Sequence, residues 1–279
     1  MPRTRSILIV ESGATKARWR YLSDGGVRAF DSPGINFSSM GAEEVGRRIA
    51  AAVKAVGADV TRPGKVVFYG AGLLSDEAGA FFPGSEVECA SDLLAAARAV
   101  CGHKEGIAAI LGTGSNSCHF DGEKIVKNVH PSGFILGDEG SGAVLGKNFL
   151  SDYFKDLVPE ALAAEFAMHF ESDYAAVVGK VYRSAAPAAY LGSFAPWILG
   201  KAQEGSEYAR TLIEENFRTF CIRCLSQYDL ERLEVGIVGG FGCAAKDYFL
   251  PVAESFGVRI SGFYPDIIDS LVEYHDERR

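Results

Sequence analysis

Two stretches of this chain share one grammar. "SILIVESGATKARWRYLSDG" runs from Ser6 to Gly25, and "IAAILGTGSNSCHFDG" from Ile107 to Gly122. In each, an apolar run leads into a turn of Gly, Ser and Thr, then a second strand-like segment, then Asp-Gly, a tight hairpin signal. A buried strand that ends in residues without bulk leaves backbone N–H groups open to a ligand. The hydroxyls of Thr15, Thr113 and Ser115 add donors, and such a set suits phosphate oxygens. One Gly-Thr-Gly turn alone is more readily a plain hairpin. Two copies in register make physical sense if both face one polyphosphate. The chain lacks the spacing of two glycines, Lys and Ser/Thr that marks a P-loop.

The pattern around the two turns predicts alternating strands and helices. Strands are expected at 7–11, 16–22 and 27–30, a helix at 42–56 with Val45, Ile49, Ala52 and Val56 on one face, and a strand at 65–69. A short helix at 76–82, a strand at 87–90 and a helix at 93–100 follow. The grammar then restarts with strands at 107–111, 115–120 and 124–127. Helices are expected at 143–154, 161–169, 174–181, 187–203 and 206–228. A strand at 233–238 ends in Gly239-Gly240-Phe241-Gly242, before a helix at 245–256, a strand at 258–261 and a last helix at 267–275. Two β-β-β-α units imply an internal duplication, with a cleft between abutting halves, and an α/β class.

A hydrophobic content of 48% with 23% charged residues suits a chain that buries real cores. The net charge of -8 argues against a general nucleic-acid binder, which needs clustered cations, but leaves a small phosphorylated ligand open. The opening "MPRTRSILIVE" has only a strand-length apolar run, and no run approaches a membrane span, so a cytoplasmic protein with reduced thiols is expected. Cys221-Ile-Arg-Cys224 has metal spacing but no second pair, and packing thiols are the better reading.

The paired turns, Ser91-Asp92 ahead of a helix, and "GFILGDEGSGAVLG" (Gly133–Gly146) together resemble the sugar-kinase/actin/heat-shock-ATPase superfamily. Within it they are similar to the N-acetylglucosamine-kinase-like, BadF/BadG-type ATPase branch. The resemblance covers nearly the whole chain and is most specific at Leu136–Gly142. It implies two ribonuclease-H-like (actin-like ATPase) domains, with nucleotide and substrate in the interdomain cleft. The expected lobes are 1–104, with a C-terminal helix over 266–279 packing back on it, and 105–265 with a helical insertion. It also implies ATP and Mg²⁺ as cofactors.

The resemblance carries roles onto particular residues. Ser12, Gly13, Thr15 and Lys16 match the first phosphate turn, with Glu11 as the magnesium-organising acid where most members have Asp. Gly112, Thr113, Gly114 and Ser115 match the second turn, and Gly239 and Gly240 the adenosine segment, from which Phe241 departs. Asn36, Asn116, Gly133 and Asp138 match sugar contacts, and Ser132 stands where many relatives have Trp. Asp92 matches the general base. A carboxylate within reach of a sugar hydroxyl can take its proton during phosphoryl transfer, and a helix N-terminus would keep it ionised. Local sequence alone favours helix caps at Ser91 or Asp92, and at Asp138 or Glu139.

The leading expectation is an ATP-dependent kinase of an amino sugar, N-acetylglucosamine first. An ATPase that activates a partner enzyme, or a non-catalytic sugar or nucleotide sensor, stays open beside it. Sugar and ATP are the expected partners, without nucleic acid or membrane, and a homodimer is the assembly left open.

Overall fold

The first stretch folds into β1 (Ile7–Ser12) and β2 (Lys16–Ser23), antiparallel, with β3 (Gly26–Pro33) following across the Asp24-Gly25 turn. The second folds in the same way into β6 (Gly106–Leu111), β7 (Ser115–Phe120) and β8 (Ile125–Val129). The structure, a computed structural model, describes residues 6–13, 16–37, 40–56, 63–70, 73 and 78–276. Two units emerge: Met1–Lys104 with Gly122–Ile125 and Asp266–Arg279, and Glu105–Asp121 with Val126–Pro265.

The first unit holds a five-stranded sheet of order β3-β2-β1-β4-β5, where β4 is Lys65–Gly70 and β5 is Glu86–Ala90, both parallel to β1. Leu8, Val10, Trp19 and Phe68 join one core with Val45, Ile49 and Ala52 of α1 (Ala42–Val56). Strand alternation sends Ile9 and Tyr69 to the opposite face. There α2 (Asp92–Cys101) and the last helix, α12 (Ile268–His275), pack on the sheet and on each other.

The second unit repeats the order with β10-β9-β6-β7-β8, where β9 is Val235–Val238 and β10 is Ile260–Tyr264. Again three neighbouring strands, β10, β9 and β6, pair in parallel, and β7 runs antiparallel to β6. The shared order is the structural trace of the duplication. Its core joins Ile107, Ala109 and Leu111 to Phe149 of α4 (Gly142–Tyr153), Phe166 of α5 (Glu160–His169) and Phe217 of α9 (Glu207–Arg223). The other helices are α3 (Gly133–Leu136), α6 (Tyr174–Arg183), α7 (Pro187–Gly192), α8 (Ala195–Gln203), α10 (Gly240–Ala244) and α11 (Lys246–Ser255).

Several expected elements are corrected. The single helix over 187–203 is two, α7 and α8, because Pro196 lacks an amide proton and is tolerated only in a first turn, so it opens a new helix. The helix over 206–228 ends at Arg223, with a 3₁₀ turn at Leu225–Gln227 beyond it. The strand at 258–261 moves to β10, whose extent is set by pairing with β9 from Ile260↔Val235 to Tyr264↔Val238. Ahead of the helix expected at 245–256, Gly240–Ala244 forms a short helix of its own, α10, entered from β9 through Gly239. Of the helix over 76–82, a 3₁₀ turn at Gly79–Phe81 is described, and residues 74–77 lie outside the described residues.

Candidate functional site

In the first unit the acidic groups gather where β1 ends. Glu11 lies opposite Arg18 of β2, and Arg18 Nη1 donates to Glu11 Oε2 at 3.0 Å. The same guanidinium reaches Asp266 Oδ2 through Nε at 2.8 Å. Burial raises the Glu11 pKa, Arg18 opposes that, and the charges of Asp266 and Asp92 add to the rise. This is an all-oxygen acidic set with one counter-cation. It suits a hydrated Mg²⁺, which keeps its waters and takes few protein ligands. Among the described residues no cluster of three His, Cys, Asp or Glu could cage an ion unaided.

Asp92 begins α2, but the cap is Ser91, whose hydroxyl accepts from Leu94 N–H at 3.1 Å. The capping alternative therefore falls to Ser91. Asp92 Oδ1 accepts from Leu93 N–H at 2.9 Å, a local bond that leaves lone pairs for a further donor. Its environment differs from the expectation of a dipole-dominated acid. Burial is the larger influence and raises its pKa, and the backbone N–H groups only partly offset it.

Other first-unit residues are placed differently from their expected roles. The Ser12 hydroxyl is buried and spent on Ile35, donating to its carbonyl and accepting from its N–H, both at 2.8 Å. It therefore anchors the loop that carries Asn36 and does not offer a free donor for phosphate. Asn36 follows directly, and its carbonyl accepts from Met40 N–H at 3.0 Å. Lys16 pairs with Asp31 at 2.6 Å on the half-exposed outer side of the sheet. Gly13 N–H donates to Lys16 C=O at 3.0 Å. Thr15 lies outside the described residues.

In the second unit the Gly112-Thr113-Gly114 turn closes by Gly112 N–H to Gly114 C=O at 2.9 Å. The head of α4 docks on it, with Gly142 and Ala143 N–H donating to the carbonyls of Gly112 and Thr113. Gly239 has φ +116°, and a Cβ there would stand 2.7 Å from Leu111 O, so only glycine lets the start of α10 approach this turn. Asp138 comes against the same turn. It is buried, it is one of three non-glycine residues with positive φ among the described residues, and its Oδ1 accepts from Ser115 N–H at 3.3 Å. Burial raises its pKa, and the Ser115 N–H partly offsets that. Here too the cap is a serine, Ser141, which accepts from Val144 N–H at 3.2 Å.

Asn116 and Gly133 are less closely tied to the turn. Asn116 Oδ1 accepts from Ser117 N–H and from Asn128 Nδ2, each at 2.9 Å. Gly133 has φ +69° and opens α3 at an exposed position. Cys221 and Cys224 are buried free thiols at the end of α9, as expected of packing groups.

Beside the turn lies a cavity of about 380 Å³, walled by Gly112 and Thr113, by Ala195, Leu199 and Gln203 of α8, and by Phe241 of α10. The α8 wall was missed, because nothing in its sequence ties it to a turn some eighty residues upstream except the fold itself. Asn216 was missed as well. It is buried in α9, its Oδ1 accepts from Gly140 N–H at 3.1 Å, and its Nδ2 donates to Ser141 C=O at 3.0 Å. A signal existed, since it is a polar residue on the stripe of Ile213, Phe217 and Phe220.

Two α/β units of one strand order, each with a small-residue turn after its first strand, define the two-domain actin-like sugar-kinase fold. A presumed N-acetylglucosamine kinase of Porphyromonas gingivalis is 34% identical over 96% of this chain and 98% of its own, with a TM-score of 0.88. Another presumed N-acetylglucosamine kinase, of Chromobacterium violaceum, shares the fold at 21% identity, over 98% and 99% of the two chains and a TM-score of 0.77. A ROK family glucokinase of Streptomyces griseus, solved with glucose and AMPPNP, shares it at 17% identity, over 97% and 98% and a TM-score of 0.58. No protein-family model and no curated protein matches the chain. The chain belongs to the same family as the Porphyromonas gingivalis protein, among the actin-like sugar kinases.

Proposed function

We propose that this protein is an ATP-dependent kinase of an amino sugar, N-acetylglucosamine first, in the BadF/BadG-type branch of its family. We read 1–104 with 266–279 as the N-terminal ribonuclease-H-like lobe and 105–265 as the C-terminal one. The observation that carries the reading is Asp92, a carboxylate half withdrawn from water at the head of α2, whose capping duty Ser91 already performs. A carboxylate whose pKa burial has raised is a stronger acceptor for a hydroxyl proton than one in open water.

In this reading the sugar hydroxyl attacks the γ-phosphorus of ATP. A new O–P bond forms, the bond to the β-phosphate oxygen breaks, the hydroxyl proton passes to Asp92, and ADP leaves. Gly112–Ser115 hold phosphate oxygens by backbone N–H groups, with Gly13 and Thr15 matching them in the other copy. Gly239 and Gly240 let the backbone approach the nucleoside, which the cavity beside the turn would receive. Asn36, Asn116, Gly133 and Asp138 orient the sugar. Mg²⁺, held by Glu11 through its water shell, would neutralise charge on the phosphates when bound.

The test is a coupled ADP-release assay with Mg-ATP over a panel of sugars, for wild type and Asp92→Asn. Loss of a general base should lower sugar-dependent kcat by about 10²–10⁴-fold with little change in sugar KM. Turnover indifferent to sugar would sink the proposal and favour a partner-activating ATPase.

A further inference from the structure

The nucleoside cavity is poor in groups that could tell one base from another. Its wall holds four glycines, two alanines, Pro196, Leu199 and Phe241, none with a side-chain hydrogen-bonding group. Thr113 belongs to the phosphate turn, flanked by Gly112 and Gly114. Gln203, at the exposed end of α8, is the remaining polar side chain of the wall. The nearby backbone donors are largely spent. Gly142 and Ala143 N–H serve Gly112 and Thr113, and Ala245 N–H serves Phe241.

From this we infer that Gln203 is the side chain that reads the base, and that the site takes guanine nucleotides as well as adenine nucleotides. The inference rests on the nucleotide reading of the cavity. The two purines differ at position 6, where adenine donates from an amino group and guanine accepts at a carbonyl oxygen. A carboxamide carries both a donor and an acceptor, and turning it over costs only a side-chain rotation at an exposed position. An apolar pocket rejects an isostere by no more than about 10²-fold, whereas strong rejection needs a buried polar group that the wrong ligand leaves unpaired. No side chain of this wall supplies one. The enzyme would then draw on either purine triphosphate, with only a mild preference set by Gln203.

Calorimetric binding of ADP and of GDP, each with Mg²⁺, to wild type, Gln203→Leu and Gln203→Glu tests this without needing turnover. Wild type should bind the two within about tenfold of each other, a span of 1.4 kcal/mol. Gln203→Glu, which can only accept, should shift preference toward ADP by about tenfold, and Gln203→Leu should weaken both and narrow the gap. Wild-type discrimination above about 10²-fold, or a preference that neither variant moves, overturns the inference while leaving the nucleotide site in place. If neither diphosphate binds, the nucleotide reading of the cavity falls, and the inference with it.

Discussion

At the scale of single residues, the two candidate carboxylates share one device. Each follows or precedes a serine that takes the helix cap, Ser91 for Asp92 and Ser141 for Asp138, and each is pushed above its ordinary pKa chiefly by burial. Their partners differ. Asp92 bonds locally to Leu93 N–H, while Asp138 reaches back to Ser115 and braces the Gly112–Ser115 turn. Asp138 is therefore expected to couple the two substrates instead of serving the sugar alone. Asp138→Ala should leave the Ser115 N–H buried without a partner, at a cost of about 1–3 kcal/mol in urea unfolding, and weaken ADP binding. Asp138→Asn keeps an acceptor at that point and should recover most of the stability but not the sugar affinity. A stable, ADP-competent alanine variant would show that the brace is unimportant. None of this was legible locally, because "GDEG" reads as a cap in isolation. Ser12 misled for a related reason: its partner, Ile35, lies beyond a whole hairpin.

At the scale of elements, the duplicated grammar was legible because strand, small-residue turn and strand are local patterns. Both copies formed the expected antiparallel pairs around an inner strand. What was not legible was the company those turns keep. In the first unit β1 is backed by α2 and α12, and in the second the turn is met by the heads of α4 and α10 and the wall of α8. These approaches depend on packing between elements far apart in sequence. Gly239 is where such an approach is tightest. Gly239→Ala must adopt φ near +116° and displace Leu111 O, which a Cβ would meet at 2.7 Å. Strain of this kind costs about 1–3 kcal/mol. Because α10 would shift against Gly112, ADP affinity should fall at least about tenfold. Gly240→Ala meets nothing within 4 Å of its Cβ and is the matched control, expected to melt like wild type. Equal ADP binding by the Gly239 variant would contradict a close backbone approach at this point.

At the scale of the whole molecule, the chain finishes the first unit with its last helix. After β10, Asp266 pairs with Arg18, Asp269 with Arg20 at 2.9 Å, and Tyr274 stacks on His103 at 4.3 Å. The deepest tie is a relay in which Arg98 Nη1 donates to Tyr69 Oη at 2.8 Å and Tyr69 in turn meets His275 Nε2 at 2.6 Å. With its oxygen accepting from Arg98, the tyrosine can donate its own proton to the imidazole when His275 is neutral. Burial, helped by the Arg98 charge, lowers the His275 pKa from 6.5 to about 4. The sign follows from proton counting. Between these values the unfolded chain binds the proton and the folded chain does not, so stability rises with pH across that window. The contribution is complete above about 6.5 and is lost as pH falls toward about 4. Melting temperature should therefore drop on going from pH 7 to pH 5, each kcal/mol being worth about 2–4 °C in a protein this size. His275→Gln keeps an acceptor for Tyr69 without titrating, and its melting curve should lose much of that pH dependence. Identical slopes for the two proteins would mean that the last helix is not held by a neutral imidazole.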